Sequence, residues 1–270
     1  MTPTSGEGGT PWSIERDGDG PLVATAIHQG HQLRDELLPY MALGEAERLR
    51  EEDPFTGDWT AVAPTRVVMH RSRFEVDLNR PPDRCVYQLP GDAWGLEVWR
   101  PPLPSELVER SRTIHAEFYN EMRALFDELL ARHNRLVVFD LHSYNHRRGG
   151  PRAAPADPRE NPIVNLGTSN MDRSLWEPIV EAFTNAVRGC KLDGRPIDIR
   201  RNVKFQGGYW ARWIHETYPQ RVCAMAIEVK KVFMDEWSGQ FDAARHRAIG
   251  DALQVAAEAT SPSLWEGRTR

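Results

Sequence analysis

Cysteine is scarce in this 270-residue chain. Cys85, Cys190 and Cys223 are far apart and odd in number, which excludes a disulfide framework and a thiolate zinc site. No block of one charge sign appears. The 34 basic and 39 acidic residues leave a net charge of −5, so nothing points to a nucleic-acid or membrane-surface partner. No run approaches the ~20 apolar residues of a membrane-spanning helix. The polar, glycine-rich and acidic stretch Met1–Gly20 lacks the apolar segment of a secretory signal. Internal repeats and obvious linkers are missing too. These absences predict a reduced, cytoplasmic, soluble protein.

The 40% hydrophobic and 27% charged shares are those of a globular protein, and the length suffices for one α/β domain with a sizeable core. Residues 1–20 read as a flexible lead-in and residues 21–270 as a single domain. Apolar runs predict strands over 22–27, 136–141 and 222–229, and alternation predicts extended strands at 65–70 and 74–78. A short strand and turn is expected at 165–168. Leu, Ala, Glu and Arg predict a helix over 36–51, open to interruption at Pro39 and Gly44. The clearest helix runs from an N-cap at Ser105 to about His133. Further helices are expected over 175–190 and 240–260, a long loop over 147–162, and an irregular glycine-rich segment over 203–209. Strands alternating with helices imply a mixed, mostly parallel sheet flanked by helices.

Three of the apolar runs end in groups capable of chemistry. Arg135–Ser143 presents Asp140 and His142, the run from Pro21 presents His28, and the run from Arg221 presents Glu228. Ligands of open α/β sheets gather at the carboxyl ends of strands, so two histidines and a carboxylate suggest one site, a metal site. Neutral imidazole suits zinc. Asp140 shares a strand face with His142 and could orient an imidazole. The alternative is that both merely cap the strand. His31 could replace His28 as a ligand or donate to a substrate, or the His28–His31 turn could be a simple polar loop.

The cluster Glu51-Glu52-Asp53 precedes Pro54, which forces an extended residue before it. Asp53, then Glu52, are the candidates for the carboxylate that completes a two-histidine site. Glu228 lies inside an apolar strand, where an unpaired carboxylate is costly. It reads as a general base or as a structural acid paired with Lys230 or Lys231. Asn79 and Arg80 could hold a substrate carboxylate, and a structural pair of Arg80 with Asp77 or Asp83 is the alternative. Gly207 and Gly208 could hinge a closing loop that carries Tyr209.

The ordered segments Ser72–Asp83, Asp140–Ser143, Asn165–Thr168, Gln206–Tyr209, Ala226–Glu228 and Phe233–Glu236 resemble the motifs of the N-formylglutamate amidohydrolase family. The resemblance covers about residues 22–240. It implies a fold similar to that of zinc carboxypeptidases and one zinc ion held by His28, His142 and either Asp53 or Glu52. It further implies Glu228 as general base and acid, with Asn79 and Arg80 on an acidic group of the substrate. Arg147 or Arg148 could assist Arg80. The chain departs from the family at Ile27–His31 and in the bulky, basic run Ser143–Arg148. The expected activity is hydrolysis of a small N-acylated acidic amino acid. The alternatives are a peptidase or deacylase of another short acidic amide, and an inactive binding protein of the same fold.

Overall fold

The computed structural model describes residues 10–261. A seven-stranded sheet forms its centre. Its strands are β1 (Trp12–Arg16), β2 (Leu22–Ala26), β3 (Thr65–Met69), β4 (Leu136–Tyr144), β5 (Val164–Gly167), β8 (Ile199–Arg201) and β9 (Val222–Lys230), and their order in space is β1-β3-β2-β4-β9-β5-β8. A separate hairpin joins β6 (Lys191–Leu192) to β7 (Arg195–Pro196). Strands β3, β2, β4 and β9 run parallel, as do β5 and β8. The β1–β3 and β5–β9 pairs are antiparallel. This is the mixed, mostly parallel sheet with flanking helices that the alternation of elements implies.

The helices are α1 (Glu45–Glu51), α2 (Ser105–Arg132), α3 (Arg173–Gly189), α4 (Tyr209–Thr217) and α5 (Ala243–Thr260). Period-two side chains on β4 divide the core between two faces. Val137, Phe139 and Leu141 pack with Trp176 and Phe183 of α3 and Leu253 of α5. Leu136 and Val138 pack with Phe118 and Phe126 of α2 and Trp210 of α4. Asp140 and His142 continue this second face, so the apolar alternation itself decides which side the polar groups take. No described helix is long and apolar enough to cross a membrane.

Several expectations need correction. Residues 12–16, read as part of a flexible lead-in, form an edge strand in register with β3 from Trp12↔Met69 to Arg16↔Thr65; residues 1–9 lie outside the described residues. The 74–78 segment is a series of turns. Backbone bonds run from Glu75 and Val76 to Ser72 O, and Phe74 packs in one apolar cluster while Val76 and Leu78 pack in another. Its alternation therefore records two buried directions of a folded turn. The 36–51 helix divides into a 3-10 helix at Asp35–Tyr40 and α1, the break falling between Pro39 and Gly44. Ser105 is the first helical residue and Pro104 occupies the N-cap without a side-chain bond. Strand β4 extends to Tyr144, which puts His142 inside a strand.

The turn after β2 is fitted against the strand beside it. A Cβ at Gly30 would lie 2.3 Å from Arg71 O and 2.4 Å from His70 C, both backbone atoms. Gly30→Ala is therefore expected to destabilise the protein by about 1–3 kcal/mol through overpacking, read as a lowered Tm.

Candidate metal centre

Strands β2, β4 and β9 deliver their carboxyl ends to one cleft of about 440 Å³, lined among others by His28, Asp53, His142 and Glu228. His28 follows β2, and His142 on β4 stands directly beside Glu228 on β9. Asp53 enters from the loop after α1, where its backbone N–H donates to His28 O at 2.9 Å. One ligand atom from each of His28, Asp53 and His142 falls within 4.8 Å of the others, and all three residues are buried.

The orientation of these groups matters more than their proximity. His142 Nδ1 lies 3.0 Å and His28 Nδ1 3.5 Å from the same oxygen, Asp53 Oδ2. The two imidazole rings meet edge-on with centroids 4.8 Å apart. Asp53 Oδ1 accepts a bond from Ser143 Oγ at 3.2 Å. Each Nε2 is turned away toward a second carboxylate. His28 Nε2 is 2.7 Å from Asp77 Oδ1. His142 Nε2 is 3.0 Å from Asp140 Oδ2, though off the alignment of a hydrogen bond.

These outer carboxylates are themselves held. Asp77 receives Arg73 Nη2 at 3.0 Å, the backbone N–H of Asn79 at 2.8 Å and the Tyr87 hydroxyl. Asp140 Oδ1 accepts from Thr25 Oγ1, which in turn accepts from Trp210 Nε1, each at 3.2 Å. Burial alone would raise the Asp53 carboxyl, but its bonds to His142 and His28 prevail and hold it far below the usual carboxylate range. For His142, burial disfavours the charged ring, yet Asp140 and Asp53 outweigh it and raise its pKa well above the ordinary value.

Two imidazole Nδ1 atoms and one carboxylate oxygen, each ring with its other nitrogen facing a second carboxylate, make a donor set that fits zinc. The excess of buried carboxylates over cations around the rings fits a divalent ion as well.

Glu228 opens toward the cleft, and the surrounding protein still pushes its carboxyl up to about 7. Desolvation is the main cause, assisted by Asp53 and Asp140 and opposed by His142. Asn165, its other cross-strand neighbour, accepts the backbone N–H groups of Val203, Lys204 and Phe205 at 2.8–3.3 Å. That residue thereby pins the loop whose Phe205–Gly208 stretch walls the cleft.

The remaining candidates separate. Glu52 turns away from the imidazoles: it bonds Ser72 Oγ and lies 2.5 Å from His31 Nδ1. Both Glu52 and His31 therefore stand outside the cluster. The reason is backbone direction. Buried Lys231 donates to the carbonyls of Arg50 and Glu52, which orients the chain so that the next side chain, Asp53, points inward. Asn79, Arg80 and Tyr209 all line the cleft. Asn79 Oδ1 accepts the Trp210 backbone N–H at 3.0 Å and so caps α4. Arg147 points away, pairing with Asp235 at 3.1 Å, and it is Arg148 that lines the cleft. Asp77 escaped sequence reasoning as a partner of His28. Its signal was available, since an acid inside Phe74–Leu78 poses the same problem as Glu228 inside β9.

A model of the N-formylglutamate amidohydrolase family matches residues 20–234. The crystal structure of N-formylglutamate amidohydrolase from Ralstonia eutropha JMP134 superposes with a TM-score of 0.73 at 18% identity, covering 96% of this chain and 99% of that one. A gene product of Agrobacterium tumefaciens does so with a TM-score of 0.66 at 16% identity, covering 96% and 97%. At these identities the likeness is one of fold. Comparison with curated proteins found no match.

Proposed function

Since the chain belongs to the N-formylglutamate amidohydrolase family, we propose that it is a zinc-dependent amidohydrolase that cleaves the amide of a small N-acylated acidic amino acid. The observation that carries this reading is the convergence of two imidazole Nδ1 atoms on Asp53 Oδ2, with Glu228 beside them. His28, Asp53 and His142 would hold the metal. Zinc there would supply Lewis-acid polarisation of the scissile carbonyl and lower the pKa of the attacking water toward neutrality.

Glu228 takes the proton of the attacking water as that oxygen bonds to the carbonyl carbon. The same carboxyl then delivers the proton to the amide nitrogen as the C–N bond breaks, leaving an acid and an amine. A carboxyl poised near neutrality suits both transfers. Asn79 and Arg80 bind a carboxylate of the substrate from one wall. Asn165, through its loop, keeps the opposite wall in place.

The direct assay is hydrolysis of N-formyl-, N-acetyl- and dipeptide forms of glutamate and aspartate by the purified protein. Stoichiometric release of acid and amine from at least one is expected. Hydrolysis of none would contradict the reading and favour a binding protein of the same fold.

Asp77 adds a more selective prediction. Outer carboxylates that orient metal-binding imidazoles contribute about 10- to 100-fold in metal affinity or activity. Asp77→Asn is therefore expected to weaken zinc binding by about that factor, measured by competition with a chromogenic chelator. Unchanged affinity would remove Asp77 from the account.

A further inference from the structure

Four arginines line the cleft, Arg73, Arg80, Arg148 and Arg212, and they are not equally free to bind. A guanidinium carries five N–H donors. Arg73 bonds through all three of its nitrogens: Nε to the Tyr87 hydroxyl at 3.1 Å, Nη1 to Glu51 O at 3.4 Å and Nη2 to Asp77 at 3.0 Å. Arg212 lies over the Tyr209 ring and beside Glu216 of its own helix at 3.9 Å. Arg80 gives one hydrogen bond, to Asp92 O at 3.3 Å, and its Nε lies 3.8 Å from Asp77 Oδ2. Arg148 gives one as well, from Nη2 to Glu51 Oε2 at 3.0 Å, while its side chain remains 51% exposed.

Arg148 is nevertheless held in place. Its guanidinium lies 5.7 Å from the centre of the Trp94 ring. Trp94 is in the left-handed region at φ 54° and 47% exposed. Non-glycine residues rarely adopt that conformation, and where they do it marks a place whose surroundings enforce it. Glu51 is buried, and its other oxygen takes Arg50 at 3.3 Å, so it anchors Arg148 without neutralising it alone. Arg80 lies over Tyr87, Tyr87 meets Trp94 at 6.2 Å, and Trp94 carries Arg148. One wall thus ends in two separate guanidinium forks with donors to spare.

We propose that Arg148, set by Trp94 and Glu51, is a specificity-determining residue that binds a second carboxylate of the substrate, distinct from the one held at Asn79 and Arg80. The inference rests on the amidohydrolase reading above. It assigns a role to the basic run Ser143–Arg148. A planar fork matches a carboxylate with two parallel bonds, and a neutral side-chain amide of the same shape forfeits the charge.

The test compares N-formyl-L-glutamate with N-formyl-L-glutamine, which differ in that one group. The wild type should favour the glutamate form in kcat/KM. Arg148→Gln should lower this preference roughly 10- to 100-fold, as expected for one charge-assisted contact. An unchanged ratio would overturn the proposal. Calorimetric binding of L-glutamate and L-glutamine to the zinc-loaded protein gives a readout independent of turnover. Loss of discrimination in Arg148→Gln supports the subsite, and equal binding of both ligands by the wild type refutes it. A wild type that hydrolyses neither amide but still discriminates in binding would contradict the activity while sustaining the subsite.

Discussion

Replacing Glu228 by glutamine is expected to lower kcat/KM by about 10² to 10⁴, the usual contribution of a positioned general acid–base. The substitution preserves the shape of the side chain, and the amide neither accepts a proton from water nor returns one to nitrogen. Its structural cost should be small, because the side chain opens to the cleft and bonds no core group that glutamine could not serve. The pH profile makes the prediction sharper. Glu228 must be ionised to act as a base, and burial raises its carboxyl to about 7. Activity should therefore be present above that value and fall as the pH drops through it. A bound cation favours the ionised form, so the acid limb should lie at or below about pH 7. A side-chain amide cannot titrate, so the residual activity of Glu228→Gln should lose that limb. Full activity in this variant would sink the mechanism.

The second large effect concerns the metal ligands. Chelation should abolish turnover, and added zinc should restore it. His142→Ala should do the same without restoration, because the site then retains one imidazole and one carboxylate. Lewis-acid stabilisation of the transition state is worth several kcal/mol, so the loss should be on the order of 10³ or more in rate. Far-ultraviolet circular dichroism would check that the variant folds. It should, since His142 sits at the cleft end of β4 and the apolar residues Leu136–Phe139 carry the packing. Chelator-insensitive turnover would contradict the zinc reading.

Much of this geometry was legible in the sequence, and the reason is physical. Buried parallel strands are continuous apolar runs, so an imidazole or carboxylate at their ends stands out. His28, His142 and Glu228 could be singled out on that ground alone, and the structure brings them to one cleft. The choice between Glu52 and Asp53 was not legible. Adjacent acids differ only in the direction of the backbone, and that direction is imposed by the distant Lys231. The same limit hid the pairing of Asp77 with His28, since a buried turn imitates strand alternation. It also left Arg147 and Arg148 equivalent, although one faces Asp235 and the other the cleft. Strand β1 was missed because polar and charged residues dominate it and its partner β3 lies far along the chain. Helix α4 was missed because it begins directly after two glycines, its first N–H groups capped by the distant Asn79.

The central claim is that a zinc ion is held by His28, His142 and Asp53, with Glu52 in another role. Elemental analysis of the purified protein and two isosteric variants tests it most directly. The account predicts one zinc per chain in the wild type and in Glu52→Gln, and a marked loss in Asp53→Asn. A wild type that binds no metal, or zinc that persists in Asp53→Asn and disappears in Glu52→Gln, would contradict it.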